Sequence, residues 1–215
     1  MEDFVYLASA SPRRRQLLSQ IGVPFQVLSV DVDEALAAGE VAEHYVSRLA
    51  RAKAAAGLAR RIAVRHGPAA GAAAPGAPVL GADTAVVAAG AILGKPADCA
   101  DAERMLGLLS ARTHEVLTAV ALATDDGVLC RLSRSEVTFR EIHPSEARDY
   151  WNTGESRDKA GAYAIQGYGA VFVSGLRGSY SGVMGLPLYE TAQLLRAAGV
   201  PCWLATIGTA ATDGH

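Results

Sequence analysis

The chain has 215 residues, is 50% hydrophobic and carries a formal net charge of −2 at pH 7. This is enough for a core in one domain or two joined lobes, and the near-neutral balance argues against a nucleic-acid-binding protein. The sequence shows no basic leader and no uncharged membrane-length apolar run, and its three cysteines are far apart; we therefore expect a cytoplasmic protein with reduced thiols and no membrane contact.

The first predicted elements are a buried strand over Phe4–Leu7 and a helix that begins at Ser11 and Pro12. Serine is a favoured N-cap residue, and proline is tolerated at the first helical position. Gly22 suits the residue after the helix end. A second strand is predicted over Phe25–Val30.

A long helix is predicted over Glu43–Ile62, because apolar residues recur there at helical spacing. These residues are Tyr45, Leu49, Ala52 and Ala56. The Ala-, Gly- and Pro-rich segment 65–78 is predicted to be a surface loop. A strand over Val79–Ala88 then turns back at Ala89 and Gly90.

The rest of the chain continues to alternate between helices and strands. The predicted elements are a helix over Ala100–Leu109, a hairpin of His114–Thr124 and Val128–Ile142, a helix over Pro144–Asn152, a strand near Ala170–Ser174 and a helix over Leu188–Ala198. Because the order lacks a clean βαβ rhythm, we predict an α/β fold with a mixed sheet. Residues 1–204 should form a single domain with two lobes, and residues 205–215 a flexible tail.

Residues 7–18, LASASPRRRQLL, place three arginines at the start of the first helix. The N–H groups of a helix N-terminus attract anions, and guanidinium groups match phosphate oxygens. Helical neighbours are about 100° apart, so we expect Arg13 and Arg14 to face a ligand and Arg15 to face solvent. Ser9 and Ser11 would add hydroxyl groups. A solvated helix start with ordinary surface arginines explains the pattern equally well.

A carboxylate, Asp83, interrupts the apolar strand VLGADTAVV. An unpaired buried charge is costly, so Asp83 is either a structural acceptor of backbone N–H groups or part of a catalytic site. A neighbouring phosphate-type site favours catalysis. Glu34 is a second candidate carboxylate, although Asp31 and Asp33 beside it weaken the signal. Magnesium binds oxygen ligands and bridges phosphates, so one or two carboxylates would suffice for a metal site.

Two lysines could add to the cationic site. Lys53 lies on the inner side of the long helix, and Lys95 follows a strand in LGKPAD. Each alone is commonly a surface lysine. Together with Arg13 and Arg14 they would supply four cations, which suits a triphosphate.

The glycine-rich stretch 155–169, ESRDKAGAYAIQGYG, is a candidate base-binding loop. Gln166 offers a donor and an acceptor, as the edge of a nucleobase requires. The alternative is a plain loop in which Asp158 and Lys159 pair with each other.

Taken together, these segments resemble the Maf family. The matching segments run in order from residue 7 to about residue 191 and are LASASPRRRQLL, LARAKA, VLGADTAVV, LGKPAD, THEVLTAV, DKAGAYAIQG and GSYSGVMGLPLYET. The resemblance implies an elongated mixed sheet similar to the inosine triphosphatase fold, with two lobes around a cleft. It also implies a nucleoside triphosphate pyrophosphatase that uses a divalent metal, Mg²⁺ or Mn²⁺, and often forms dimers.

The SPRR, ADT and IQG segments resemble the branch of the family that acts on dTTP and UTP. The resemblance, together with the helix-start chemistry of Ser9 and Arg14, then implies a proton acceptor, three base-selecting residues, four phosphate-binding residues and a metal ligand. Asp83 would be the proton acceptor and Glu34 the metal ligand. The base would be selected by Arg13, Thr84 and Gln166. The phosphates would be bound by Ser9, Arg14, Lys53 and Lys95. Because neighbouring strand residues point to opposite faces, Asp83 and Thr84 would share one site only through a local bulge or turn.

Three other functions remain open at this stage. One is a 7-methyl-GTP-type pyrophosphatase, and another is a non-catalytic nucleotide-binding regulator of cell division, against which the intact Asp83 and Glu34 argue. The third is a serine hydrolase that uses Ser9 or Ser11 with His114 and Asp83, but the sequence has no G-x-S-x-G segment.

Overall fold

The computed structural model describes residues 4–66 and 76–203, which divide into two compact units. Unit 1 falls within Met1–Asp83, Ala119–Leu132 and Gly185–His215, and unit 2 comprises Thr84–Thr118 and Ser133–Met184. The predicted tail 205–215 and most of the predicted loop 65–78 lie outside the described residues. The prediction of a single domain with two lobes around a cleft stays a prediction.

The described residues form one seven-stranded sheet and six α-helices. The strands are β1 (Val5–Leu7), β2 (Phe25–Val27), β3 (Val79–Ala88), β4 (Ala91–Leu93), β5 (Thr113–Thr124), β6 (Gly127–Phe139) and β7 (Val173–Arg177). The helices are α1 (Pro12–Gln20), α2 (Ala42–His66), α3 (Cys99–Leu109), α4 (Pro144–Asn152), α5 (Tyr180–Met184) and α6 (Leu188–Ala197). Two short 3₁₀ helices span Ala160–Ala162 and Tyr168–Phe172.

The sheet is mixed, as predicted. Its strand order is β2-β1-β3-β5-β6-β7, and β4 pairs with β3. β1 pairs in parallel with both β2 and β3, whereas the β3–β4 and β6–β7 pairs are antiparallel. No helix in the described part of the chain is long and apolar enough to cross a membrane.

Strong local signals gave correct element ends. Helix α1 begins with Ser11 at the N-cap and Pro12 in its first turn, and Gly22 after it has a φ of 63°, which favours glycine. Helix α4 has the predicted bounds and a capping box formed by His143 and Glu146. In these places the chemistry of a few adjacent residues is sufficient to define the backbone.

The long helix predicted over Glu43–Ile62 is confirmed as α2. Of the apolar residues that indicated this helix, Leu49 is buried, whereas Tyr45, Ala52 and Ala56 stay partly exposed. The fully buried hydrophobic residues of α2 are Val46, Leu49, Ala50 and Ala54. In an alanine-rich helix several faces look equally apolar, and only packing selects one. One prediction about the segment before β3 is wrong: Ala77 and Pro78 are buried although they were predicted to belong to a surface loop.

The region after α4 also differs from the prediction. Residues 170–172 form part of a 3₁₀ helix rather than a strand, and β7 continues to Arg177. Helix α5, which has five residues, was not predicted. Short elements rich in glycine and serine carry little periodic signal.

The core of unit 2 contains a buried histidine among aromatic rings. His114 is 3% exposed and its ring centroid lies 4.9 Å from that of Phe139 and 5.5 Å from that of Tyr163. Its Nε2 atom is 2.9 Å from the hydroxyl of Tyr163. Burial opposes protonation and lowers the pKa of His114 to about 4.

We predict that this histidine makes the protein less stable in mild acid. His114 has a lower pKa in the folded chain, so the unfolded chain binds the extra proton, and stability is lost as pH falls from about 6.5 towards 4. Between pH 7 and pH 5 the free energy of unfolding should fall by roughly 2 kcal/mol from this group. Urea unfolding at both pH values should show the loss in the wild type and in His44→Gln, a control at an exposed histidine. A similar loss in His114→Gln would contradict the assignment.

Candidate active site

The centre of the site in unit 1 is one ammonium group held between two carboxylates. Nζ of Lys53 lies 2.7 Å from Oδ1 of Asp83 and 2.6 Å from Oε1 of Glu34. Asp83 is 8% exposed, and the side chains of Lys53 and Glu34 are 12% and 52% exposed. The buried carboxylate is therefore paired, and the outer carboxylate reaches solvent.

The close packing of α2 on β3 explains how Lys53 reaches Asp83. A Cβ atom at Gly81 would lie 2.5 Å from the carbonyl oxygen of Ala50 and 2.6 Å from the amide nitrogen of Ala54. The α2 backbone thus lies directly on β3, two residues before Asp83. Gly57 makes a similar approach, since a Cβ there would be 2.6 Å from a methyl of Val79. Larger residues at these glycines would separate the helix from the strand.

Burial and the neighbouring charges act in opposite directions on Asp83. Burial raises the pKa of its carboxyl group above the usual value, and the positive charges of Lys53 and Arg14 oppose this rise. The negative charge of Glu34 raises the pKa further. The net result is a raised pKa, which makes the ionised carboxylate a stronger proton acceptor than an exposed aspartate.

The start of α1 contributes a fixed guanidinium group. Nε of Arg14 donates to the carbonyl oxygen of Gly185 at 2.8 Å, and Nη1 donates to Oγ of Ser9 at 3.1 Å. The amide of Ser11 also donates to Oγ of Ser9, at 3.2 Å. Burial lowers the pKa of Arg14, against the opposing effect of Asp83. As expected, Arg15 is exposed; Arg13 is partly buried.

Parallel pairing brings the first turn of α1 towards Asp83. In the β1–β3 register Leu7 pairs with Leu80, and the amide of Ala8 donates to the carbonyl of Leu80 at 2.8 Å. The two strands run the same way, so Ser9 and Asp83 both follow this pair in the same direction. Residues 74 positions apart are thereby placed beyond the same end of the β1–β3 pairing.

Two residues of α2 that the sequence analysis did not select hold the segment with Glu34. The hydroxyl of Tyr45 donates to the backbone carbonyl of Glu34 at 3.0 Å, and Nη2 of Arg48 donates to that of Ala35 at 3.0 Å. Arg48 also forms a bidentate pair with Glu40. The spacing of Tyr45 and Arg48 puts both on one helix face, which is the one signal that could have indicated them.

The remaining predicted site residues belong to unit 2. The hydroxyl of Thr84 is 3.0 Å from that of Thr118, which also donates to the carbonyl of Gly182 at 2.7 Å. Gln166 and Lys95 are exposed. The roles predicted for Thr84, Gln166 and Lys95 stay predictions.

Two alternatives from the sequence are decided by these contacts. The serine-hydrolase hypothesis is not supported, because His114 is buried and its ring bonds to Tyr163, and the hydroxyl of Ser9 is bonded by Arg14. Asp158 and Lys159 form an ion pair with each other, as the plain-loop alternative predicts for these two residues.

The site combines a buried carboxylate with a lysine and with an arginine at the start of a helix. Such a site is of the kind that binds and hydrolyses phosphate compounds. Comparison with known proteins agrees: the family model described as Maf-like protein matches residues 4–198. The chain belongs to the Maf family.

Relatives cover almost the whole chain. A dTTP/UTP pyrophosphatase of Saccharophagus degradans is 54% identical over 199 residues, which span 93% of this chain and 90% of the relative. The protein of the same name from Aromatoleum aromaticum is 52% identical over 206 residues, 92% of this chain and 96% of the relative. A third, from Pseudoalteromonas atlantica, is 51% identical over 88% of this chain and 94% of the relative.

The shared ammonium group leads to a prediction about Asp83. Replacing Lys53 with methionine removes a positive charge and a hydrogen bond that lower the pKa of Asp83. We expect the pKa of Asp83 to rise, and carboxyl-carbon NMR titration should measure the change. Lys159→Met, which breaks the pair with Asp158, is the matched control and should leave the titration of Asp83 unchanged. An unchanged or lower pKa in Lys53→Met would contradict the geometry.

Proposed function

We propose that this protein is a nucleoside triphosphate pyrophosphatase that hydrolyses dTTP and UTP to the monophosphate and pyrophosphate. The observation that carries the proposal is the buried Asp83 paired with Lys53, in a chain whose relatives bear the name dTTP/UTP pyrophosphatase. The activity suits the removal of unwanted nucleotides from the cellular pool.

In this proposal the cations of the site bind the phosphate chain. Arg14 and Lys53 supply forked and single N–H donors, Ser9 supplies a hydroxyl group, and Lys95 supplies a further cation. In the structure Arg14 and Lys53 bond to a carbonyl, a hydroxyl and two carboxylates. The substrate phosphates would replace some of these acceptors, so binding exchanges one set of charge-assisted bonds for another.

The acidic residues fit a divalent metal. No group of three or more His, Cys, Asp or Glu side chains suited to a metal occurs among the described residues. Glu34 and Asp83, however, already hold one cation between them, the ammonium of Lys53. Mg²⁺ needs only one or two carboxylates when substrate phosphates complete its ligands, and Mn²⁺ takes similar oxygen ligands. Such an ion, held mainly by Glu34, would neutralise charge on the reacting phosphate.

Asp83 is the proposed proton acceptor. Its raised pKa and buried position allow it to orient a water molecule and take its proton as the water attacks phosphorus. Lys53 and Arg14 lie beside it and would stabilise the negative charge that develops on the phosphate oxygens. Water attack, proton transfer and charge stabilisation would then all depend on residues of unit 1.

Base selection is assigned to Arg13, Thr84 and Gln166. Thr84 and Gln166 carry both donors and acceptors, and a pyrimidine edge offers both. A polar site rejects a mismatched base, because its hydrogen-bonding groups would be left unpaired. The choice of dTTP and UTP over the 7-methyl-GTP alternative follows the name of the relatives, dTTP/UTP pyrophosphatase.

Three features of the cellular context belong to the same proposal. The three cysteines are all free, which agrees with a reducing cytoplasm. The net charge of −2 gives no reason to expect nucleic-acid binding. A homodimer is proposed from the family resemblance and would be tested by light scattering.

The proposed activity predicts a specific product pattern. With Mg²⁺, wild-type protein should release pyrophosphate, not orthophosphate, and should favour dTTP and UTP over CTP, GTP and 7-methyl-GTP. Asp83→Asn keeps the side-chain shape but removes the base, so turnover should fall about 10²- to 10⁴-fold. Separate assays of both phosphate products measure this. A 7-methyl-GTP preference would select the alternative enzyme, and nucleotide binding without any product would select the regulator.

The contrast between adjacent arginines tests the phosphate site. Arg14→Ala removes a partly buried cation beside Asp83 and should cost about 1.5–3 kcal/mol of transition-state stabilisation. The value of kcat/KM for UTP should therefore fall roughly 10- to 150-fold. Arg15→Ala removes an exposed arginine of the same helix and should change kcat/KM less than twofold. Circular dichroism and thermal melting check that both variants fold. Equal losses in the two variants would show that helix charge in general, and not the position of Arg14, is responsible.

A further inference from the structure

A carboxylate and a phenol in unit 2 bond to both sides of the turn that carries Gln166. The amide of Gly167 donates to the carbonyl of Ala164 at 3.3 Å, so Ile165 and Gln166 are the central residues of a tight turn. Gln166 is exposed at this turn, while Ile165 before it is buried. The orientation of the Gln166 amide therefore depends on how the turn is anchored.

The anchor before the turn is Tyr150 of α4. Its hydroxyl accepts from the amide of Ala164 at 3.0 Å and donates to Oε2 of Glu155 at 2.7 Å. Tyr150 is 5% exposed and its ring packs edge-on against Phe172 at 5.2 Å. The phenol is thus held in the core and presents its oxygen to the turn.

The anchor after the turn is Glu155. Its Oε1 accepts from the amide of Tyr168 at 3.0 Å, and its Oε2 accepts from the amide of Gly169 at 3.0 Å. With the bond from Tyr150, one carboxylate receives three hydrogen bonds. Bonds to an ionised acceptor are stronger than bonds between neutral groups.

Two glycines in this segment make room for the anchors. A Cβ atom at Gly167 would lie 1.7 Å from Oε1 of Glu155, and one at Gly169 would lie 2.8 Å from the hydroxyl of Tyr150. A side chain at either position would displace the group that holds the turn. The glycines after Gln166 therefore allow the carboxylate and the phenol to approach the backbone.

We propose that Glu155 and Tyr150 are positioning residues that hold the turn Ala164–Gly167 in the conformation in which Gln166 recognises the nucleobase. Neither residue needs to touch the substrate. The inference rests on the proposed function, because it assigns these residues to base selection by Gln166. It extends base recognition from one exposed side chain to the bonds that fix its backbone.

The test compares Glu155→Gln and Tyr150→Phe with the wild type. An amide nitrogen cannot accept the backbone N–H bonds that the carboxylate accepts, and phenylalanine lacks the oxygen that Ala164 requires. We expect each variant to lower kcat/KM for UTP about threefold to tenfold, mainly through KM, and to reduce the UTP/GTP ratio by a similar factor. The affinity for α,β-imido-UTP, which cannot be cleaved at the scissile bond, should fall by the same factor.

The matched control is Glu146→Gln. Glu146 also accepts a backbone N–H bond, from His143, and bonds to Arg140, but these bonds cap α4 and are not part of the turn. This variant should keep the UTP/GTP ratio of the wild type. Thermal melting of every variant separates loss of fold from loss of selectivity, and Tyr150→Phe, which removes a single oxygen, decides the question if Glu155→Gln does not fold.

A double-mutant cycle that combines Glu155→Gln with Gln166→Ala tests directly whether Glu155 acts through Gln166. If Glu155 acts through Gln166, Glu155→Gln should lower the UTP/GTP ratio in the wild type and leave it unchanged in the Gln166→Ala background. An unchanged ratio in folded Glu155→Gln and Tyr150→Phe, or an equal loss for all nucleotides, would overturn the proposal. Failure of the wild type to release pyrophosphate from dTTP or UTP would instead reject the proposed function.

Discussion

The geometry of the candidate site depends on the close approach of α2 to β3. An isolated buried carboxylate is costly, and Asp83 has its compensating charge because Lys53 reaches it from the helix above. That reach requires helix and strand backbones nearly in contact, which Gly81 and Gly57 allow. A packing requirement in the core of unit 1 thus sets the electrostatics of the site and the raised pKa of Asp83.

Both cations of this site are already bound to protein acceptors. Lys53 bonds to two carboxylates, and Arg14 bonds to a hydroxyl and a carbonyl group. Such bonds hold the side chains in place before a substrate arrives, which reduces the entropy lost on binding. They also mean that an incoming anion must compete for these donors, so a highly charged ligand such as a triphosphate is favoured over a weak one.

In unit 2 side chains are likewise held by hydrogen bonds, here to hydroxyl groups and to the backbone. Glu155 accepts bonds from Tyr150 and from two backbone amides, and Thr118 bonds to Thr84 and to the carbonyl of Gly182. The turn that carries Gln166 is not set by regular secondary structure, and side chains from outside the turn fix it. Gly167 and Gly169 permit the close approach of Glu155 and Tyr150. Selectivity in such a site would depend as much on these supporting bonds as on the residues that touch a base.

The sequence by itself determined the elements that a few adjacent residues define. The serine–proline start of α1, the return after Gly90 and the capping box of α4 follow from local backbone chemistry. The order of motifs also indicated the family, which the match over residues 4–198 confirms. Local signals did not single out the buried face of α2, and they failed at residues 170–172, where a strand was predicted and a 3₁₀ helix is found.

The tertiary structure alone decided which polar side chains meet. Lys53 and Asp83 are 30 residues apart, and no periodicity indicates that they form an ion pair. Tyr45 contacts the backbone of Glu34, and Glu155 contacts the turn of Gln166, across intervals that carry no sequence signal. Motifs list the reactive groups, but partners, burial and pKa depend on distances between elements, and those distances are set by side-chain packing across the whole core.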